Sequence, residues 1–82
     1  MTHDLKTWTK YFQRIFTGQK NFELRKNDRN FVVGDTLRLQ EWDEKTGVYS
    51  GREIFVTVTY ILEGGQFGLE NGFVIMSIKP IL

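Results

Sequence analysis

The sequence predicts a small α+β domain, with one main helix beside a mixed, mostly antiparallel sheet of five to six strands that curls into a β-barrel. Three observations lead there. The chain has 82 residues, which suits one domain (1–82) with one core. Apolar residues recur at helical spacing in a single place, Trp8 to Phe16, and from Asn21 onward they recur at spacing two. A lone helix supplies too few crossovers for a parallel sheet, so hairpin order is expected, and curling into a barrel removes exposed edges.

A first strand is expected over 3–6. Thr7 reads as an N-cap and Trp8 to Thr17 as the helix. Trp8, Tyr11, Phe12, Ile15 and Phe16 form its stripe toward the core, and Gly18 suits the left-handed position that ends a helix. Residues 21–26 read as the second strand, with Phe22 and Leu24 pointing one way and Glu23 and Arg25 the other. Asn27-Asp28-Arg29-Asn30 reads as a loop and Val33-Gly34-Asp35 as a turn that launches a strand from Thr36 to Trp42. Asp43 to Gly47 is a hairpin loop, and Ser50-Gly51 marks a bulge in the returning arm. Residues 52–62 form the longest strand, expected to place Ile54, Val56, Val58, Tyr60 and Leu62 on one face. Both its faces are apolar, so it belongs in the middle of the sheet. Glu63 to Gly72, with four glycines, is a loop, and Phe73 to Lys79 closes the fold before Pro80.

Composition narrows the function classes. There is no Cys, which removes disulfides, thiolate zinc sites and a cysteine nucleophile, while seven Phe, three Tyr and two Trp can fill a core. Net charge is +1, so no global electrostatic footprint of a nucleic-acid binder exists. The basic residues Lys20, Arg25, Lys26 and Arg29 nevertheless fall close together, whereas Glu41, Asp43, Glu44, Glu63 and Glu70 lie elsewhere. An anionic ligand should meet the first group. The opening residues lack signal-peptide character and no apolar run reaches membrane-spanning length, so a cytoplasmic protein without membrane contact is expected.

The octet from Gly18 to Arg25 holds the densest chemistry. Lys20, Glu23 and Arg25 sit where a helix stops and a strand starts, and the last two share a strand face. They can form an anion- and base-recognition site, in which Arg and Lys hold phosphate and Glu accepts from an exocyclic amine, or a plain surface ion pair. The loop around Gln66 and Phe67 can offer an amide and a stacking ring, or Phe67 can tuck into the core. It lacks the context of a dinucleotide or P-loop site. His3, the sole histidine, has no cluster of partners for a metal, and an idle terminal residue is expected. Trp42 alternates with Arg38 and Gln40, away from Leu37 and Leu39, unless a bulge turns it inward.

Taken in order, the short strand, the helix ending at Gly18, the Gly18-x-Lys20-x-x-Glu23-x-Arg25 motif and Val33-Gly34-Asp35 resemble the ASCH branch of the PUA-like superfamily. His3-Asp4-Leu5-Lys6, Arg25 to Arg29 and Tyr60 to Gly68 look like one small uncharacterised subfamily of it, common in bacteria and phages. The resemblance implies a PUA-like barrel with a cleft lined by the octet, binding RNA or a modified nucleotide or nucleobase. Lys20, Glu23 and Arg25 would face the ligand, with Lys6, Trp8 and Phe67 as neighbours. One ASCH-like branch hydrolyses acetylated cytidine with a Lys, a Thr and a Glu. Lys20 matches the lysine, but Glu23 stands at the threonine's place, so the nucleophile is missing.

The expectation is therefore a monomeric, non-enzymatic RNA- or nucleotide-binding module without cofactor or metal. Its site would comprise Lys20, Glu23 and Arg25 with Lys6, Trp8, Lys26, Arg29, Gln66 and Phe67. The alternatives are a small amidohydrolase on a modified nucleoside, with Lys20 and Glu23 as its catalytic pair, and a protein-interaction domain using the Trp42 surface.

Overall fold

A computed structural model describes residues 1–81. In chain order the elements are β1 (Thr2–Trp8), α1 (Thr9–Phe16), β2 (Phe22–Lys26), β3 (Thr36–Asp43), β4 (Val48–Glu63) and β5 (Phe73–Pro80). The strands form one curled sheet in the order β1-β3-β4-β5-β2, giving a small barrel-like α+β fold. All neighbours are antiparallel except β1 and β3, which run parallel from Thr2 opposite Thr36 to Trp8 opposite Trp42. The sheet is thus mixed and mostly antiparallel, as expected, with this pair the one parallel pairing among the described residues. The chain returns to it through α1 and then β2, which docks on the far edge.

Inward residues follow the two-residue period. Leu5, Leu37, Leu39, Val56, Val58, Val74, Met76 and Ile78 are buried, with Phe12 and Ile15 of the helix and Phe31 of the β2–β3 loop. Burying a side chain of this kind contributes ~1.5–3 kcal/mol.

The helix is shorter than its apolar spacing suggests. β1 runs through Trp8, which becomes the N-cap in extended geometry, and Thr7 is the last inward residue of the strand, not a cap. Only Phe12 and Ile15 of the stripe are buried; Trp8, Tyr11 and Phe16 remain exposed. Gly18 ends the helix at φ 84°, its N–H donating to Ile15 O, as its position predicted.

Two register shifts shape β4. One separates Gln40/Glu53 from Trp42/Tyr49, at the Ser50-Gly51 bulge, where Gly51 has φ 90°. The other lies between Val58 and Tyr60. An extra residue there flips side-chain parity, so the expected face of Ile54, Val56, Val58, Tyr60 and Leu62 breaks after Val58. Ile61, opposite Met76, turns toward the core, and Tyr60 is 64% exposed.

His3 is not idle. It is buried, stacks edge-on against Phe31, and lies 2.8 Å through Nε2 from Asp35 Oδ2. Burial pushes the Asp35 carboxyl up. Hydrogen bonds from His3, the Val32 N–H and the Met1 amino group outweigh this and bring its pKa down to about 2. An ionised carboxylate only accepts, so the shared hydrogen resides on His3 Nε2. This pair clamps the start of β1 to the turn before β3. Trp42 keeps its outward parity but is half-buried, with Lys6 Nζ 4.2 Å from its ring centroid.

Candidate functional site

β1 and β2 are the two edges of the sheet, and side chains span the seam between them. Arg25 Nη2 donates to Lys6 O at 2.9 Å and approaches Thr7 Oγ1 at 3.4 Å, while Arg29 Nη1 donates to Asp4 O at 2.8 Å. Above this seam the first turn of α1 overhangs, because β1 enters the helix with no intervening loop. The result is a cleft of about 470 Å³ with Trp8 and Tyr11 on one wall and Phe22 and Leu24 on the other. Lys6, Thr7, Lys20, Glu23 and Arg25 complete its lining.

The local sequence explains the floor. Gly18 turns the chain out of the helix, and the Lys20 N–H returns to Arg14 O at 2.9 Å, which fixes where β2 starts. Alternation then sends Glu23 inward, where it is 3% exposed, and leaves Phe22 and Leu24 at 44% and 52%. The carboxylate is held from both sides. Lys20 Nζ reaches Oε1 at 3.1 Å and Arg25 Nε reaches Oε2 at 2.8 Å. Lys20 Nζ also donates to Phe22 O at 2.7 Å and lies 4.7 Å from the Phe22 ring centroid. Trp8 and Tyr11 stack with ring centroids 6.3 Å apart and planes 22° from parallel.

The cleft offers several unused donors. Lys20 uses two of its three N–H groups, and Arg25 uses Nε and Nη2, leaving the two N–H groups of Nη1 without a protein acceptor among the described residues. Glu23 has each oxygen engaged. The cleft thus presents charged donors beside aromatic faces, suited to a planar group that carries oxygen acceptors. Among the described residues no group of His, Cys, Asp and Glu is arranged to hold a metal ion. No helix among them is long and apolar enough to cross a membrane.

Of the residues singled out from the sequence, the structure brings Lys6, Trp8, Lys20, Glu23 and Arg25 together around this cleft. Lys26 lies at the exposed end of β2, outside it. Arg29 spans the seam at Asp4, below the cleft. Gln66 and Phe67 are elsewhere, in the β4–β5 loop, where Gln66 bonds to Glu63 O and Phe67 is 90% exposed. Thr7, Tyr11, Phe22 and Leu24 also line the cleft. Sequence reasoning put Thr7 in a cap and Tyr11 in the core stripe, and the available signal was Phe22 and Leu24 sharing a face opposite two charged residues.

A family described as a domain of unknown function, DUF3850, matches residues 2–78. An "Uncharacterized 12.9 kDa protein in GpA 3'region" of Escherichia phage P2 is 41% identical over 61 residues, covering 74% of this chain and 54% of the relative. The matched segment is therefore about half the length of that phage protein. With its matched segment running from the start of β1 to the end of the core in β5, the chain belongs to the DUF3850 family.

Proposed function

We propose that this protein is a small nucleotide- or RNA-binding module of ASCH/PUA-like type, and that the β1–β2 cleft is its ligand site. The observation that supports this most is the pairing of half-exposed Trp8, Tyr11 and Phe22 with the unused donors of Lys20 and Arg25 in one concavity. A base would stack against the aromatic walls, and its carbonyl or phosphate oxygens would accept from Arg25 Nη1 and the third Lys20 N–H. Glu23 takes a different part from reading a base edge. Fastened at both oxygens, it positions the two cations and keeps them from repelling each other.

Titration of short RNAs and of mononucleotides into isotope-labelled protein tests the reading. Amide shifts should cluster at residues 6–11 and 20–25, along with the Trp8 indole. Shifts confined to other surfaces, or none at millimolar ligand, would rule the cleft out.

The contact of Lys20 Nζ with Glu23 Oε1 at 3.1 Å favours one second reading, hydrolysis of an acylated nucleoside with that pair moving the proton. Chromatography after incubation with acylated cytidines decides it: turnover that Lys20→Ala leaves unchanged, or no turnover, removes this alternative.

A further inference from the structure

The β4–β5 loop displays one residue in a way that its own fold does not reward. Gln66 and Leu69 form an isolated antiparallel bridge, closed by the Leu69 N–H on Gln66 O at 2.9 Å. The two residues between them, Phe67 and Gly68, have φ of 51° and 80°. A two-residue turn with both central residues at positive φ favours Asn-Gly, because Asn tolerates the left-handed region and a bulky aromatic does not. Phe67 is moreover 90% exposed, so its ring gains no burial. The loop beneath it is firmly built, with Gly65 N–H on Leu69 O, Gly64 N–H on Phe73 O and Gln66 Nε2 on Glu63 O. A rigid support therefore presents an apolar ring in an unfavourable backbone state, where local rules are broken with no return inside the chain.

Charge indicates what receives it. Residues 63–72 contain Glu63 and Glu70, both exposed, and no Lys or Arg. A phosphate backbone would be repelled from this tip. An apolar pocket rimmed by cations would be complementary to it, and the protein itself has one. Among the described residues, the cleft combines Trp8, Tyr11, Phe22 and Leu24 with Lys6, Lys20 and Arg25 against the single carboxylate of Glu23, in a volume of about 470 Å³.

We propose that Phe67 of one copy enters the β1–β2 cleft of another copy of this chain, with Glu63 and Glu70 facing the cationic rim. Each copy supplies both a knob and a pocket. An aromatic side chain buries only ~150–250 Å², far below the ~1,000 Å² of a stable interface. The contact is consequently weak and rapidly exchanging, and the monomer is the dilute state. It is screened by salt because opposite charges frame it. The inference does not depend on the cleft binding a nucleotide.

The test uses the protein alone as its own probe. As the labelled chain is concentrated, the amides of Gly65 and Gly68 and the indole of Trp8 should shift together, and the weight-average mass in sedimentation should rise. Phe67→Asn, which keeps the turn, should abolish both effects while leaving the melting temperature unchanged or higher. Leu24→Asp should abolish them from the pocket side. Mixing these two variants should restore shifts, because one retains the cleft and the other the ring. A spectrum independent of concentration, or association that survives Phe67→Asn, overturns the proposal.

Discussion

Arg25 on β2 donates through Nη2 to the backbone carbonyl of Lys6 on β1 at 2.9 Å while its Nε holds Glu23 Oε2 at 2.8 Å. One guanidinium thus ties the two sheet edges and one wall of the cleft to its floor. Lysine carries a single ammonium and lacks the fork that makes both bonds at once. Arg25→Lys should lower unfolding free energy by ~1–2 kcal/mol in urea titrations and weaken any ligand held at the proposed site by roughly tenfold. Unchanged stability would show that the seam is held by other contacts.

Glu23 is the only carboxylate in the cleft among the described residues and separates Lys20 from Arg25. Glu23→Ala leaves both cations unpaired in a partly buried site and should cost ~2–4 kcal/mol. Glu23→Gln keeps the shape and one acceptor, so about half that loss is expected. Chemical denaturation of the three proteins checks the order. If Glu23 read a ligand directly, Gln would alter ligand preference with little effect on stability.

Much of the fold was legible. Gly18, Val33-Gly34-Asp35 and the 43–47 hairpin carry turn chemistry that tertiary contacts did not override, and Leu37 and Leu39 carry a clean alternation. The second half of β4 was not legible, since both faces of the segment are apolar and a bulge between Val58 and Tyr60 changes parity without a glycine to mark it. The parallel β1–β3 pairing was hidden because its strands are separated by α1 and β2 in the chain. At the cleft, the octet was visible as a motif, but its aromatic walls were not. Trp8 and Tyr11 fit a core stripe as well as a cleft wall, and only the direct passage of β1 into α1 decides between them.

Acid should expose the clamp between β1 and the turn at Asp35. A carboxyl with a folded pKa of about 2, below its ordinary value of 3.8, contributes stability that is fully present above about pH 4. That stability is lost as pH falls through 4 toward 2. Melting temperatures followed across this window should decline more steeply for the wild type than for Asp35→Asn, which starts lower and lacks this titration. Parallel curves would mean that the loss comes from other carboxylates.

Gly64 is closely confined. A Cβ there would collide with the backbone carbonyl oxygen of Glu70 and crowd that of Phe73. Gly64→Ala should destabilise by at least ~2 kcal/mol, lowering the melting temperature of a domain this size by ~8 °C or more. Gly18→Ala meets open space and carries only the penalty of φ 84°, so ~1 kcal/mol is expected. Thermal melts that rank the two variants the other way would contradict the close packing of the β4–β5 loop.

The guanidinium groups of Arg25 and Arg29 occupy the outer carbonyls of Lys6 and Asp4. A bare strand margin is a template on which foreign chains can polymerise, and occupied acceptors deny a newcomer its first hydrogen bonds. Replacing both arginines would therefore uncap β1, and the doubly substituted protein should form fibrils under conditions where the parent stays dispersed.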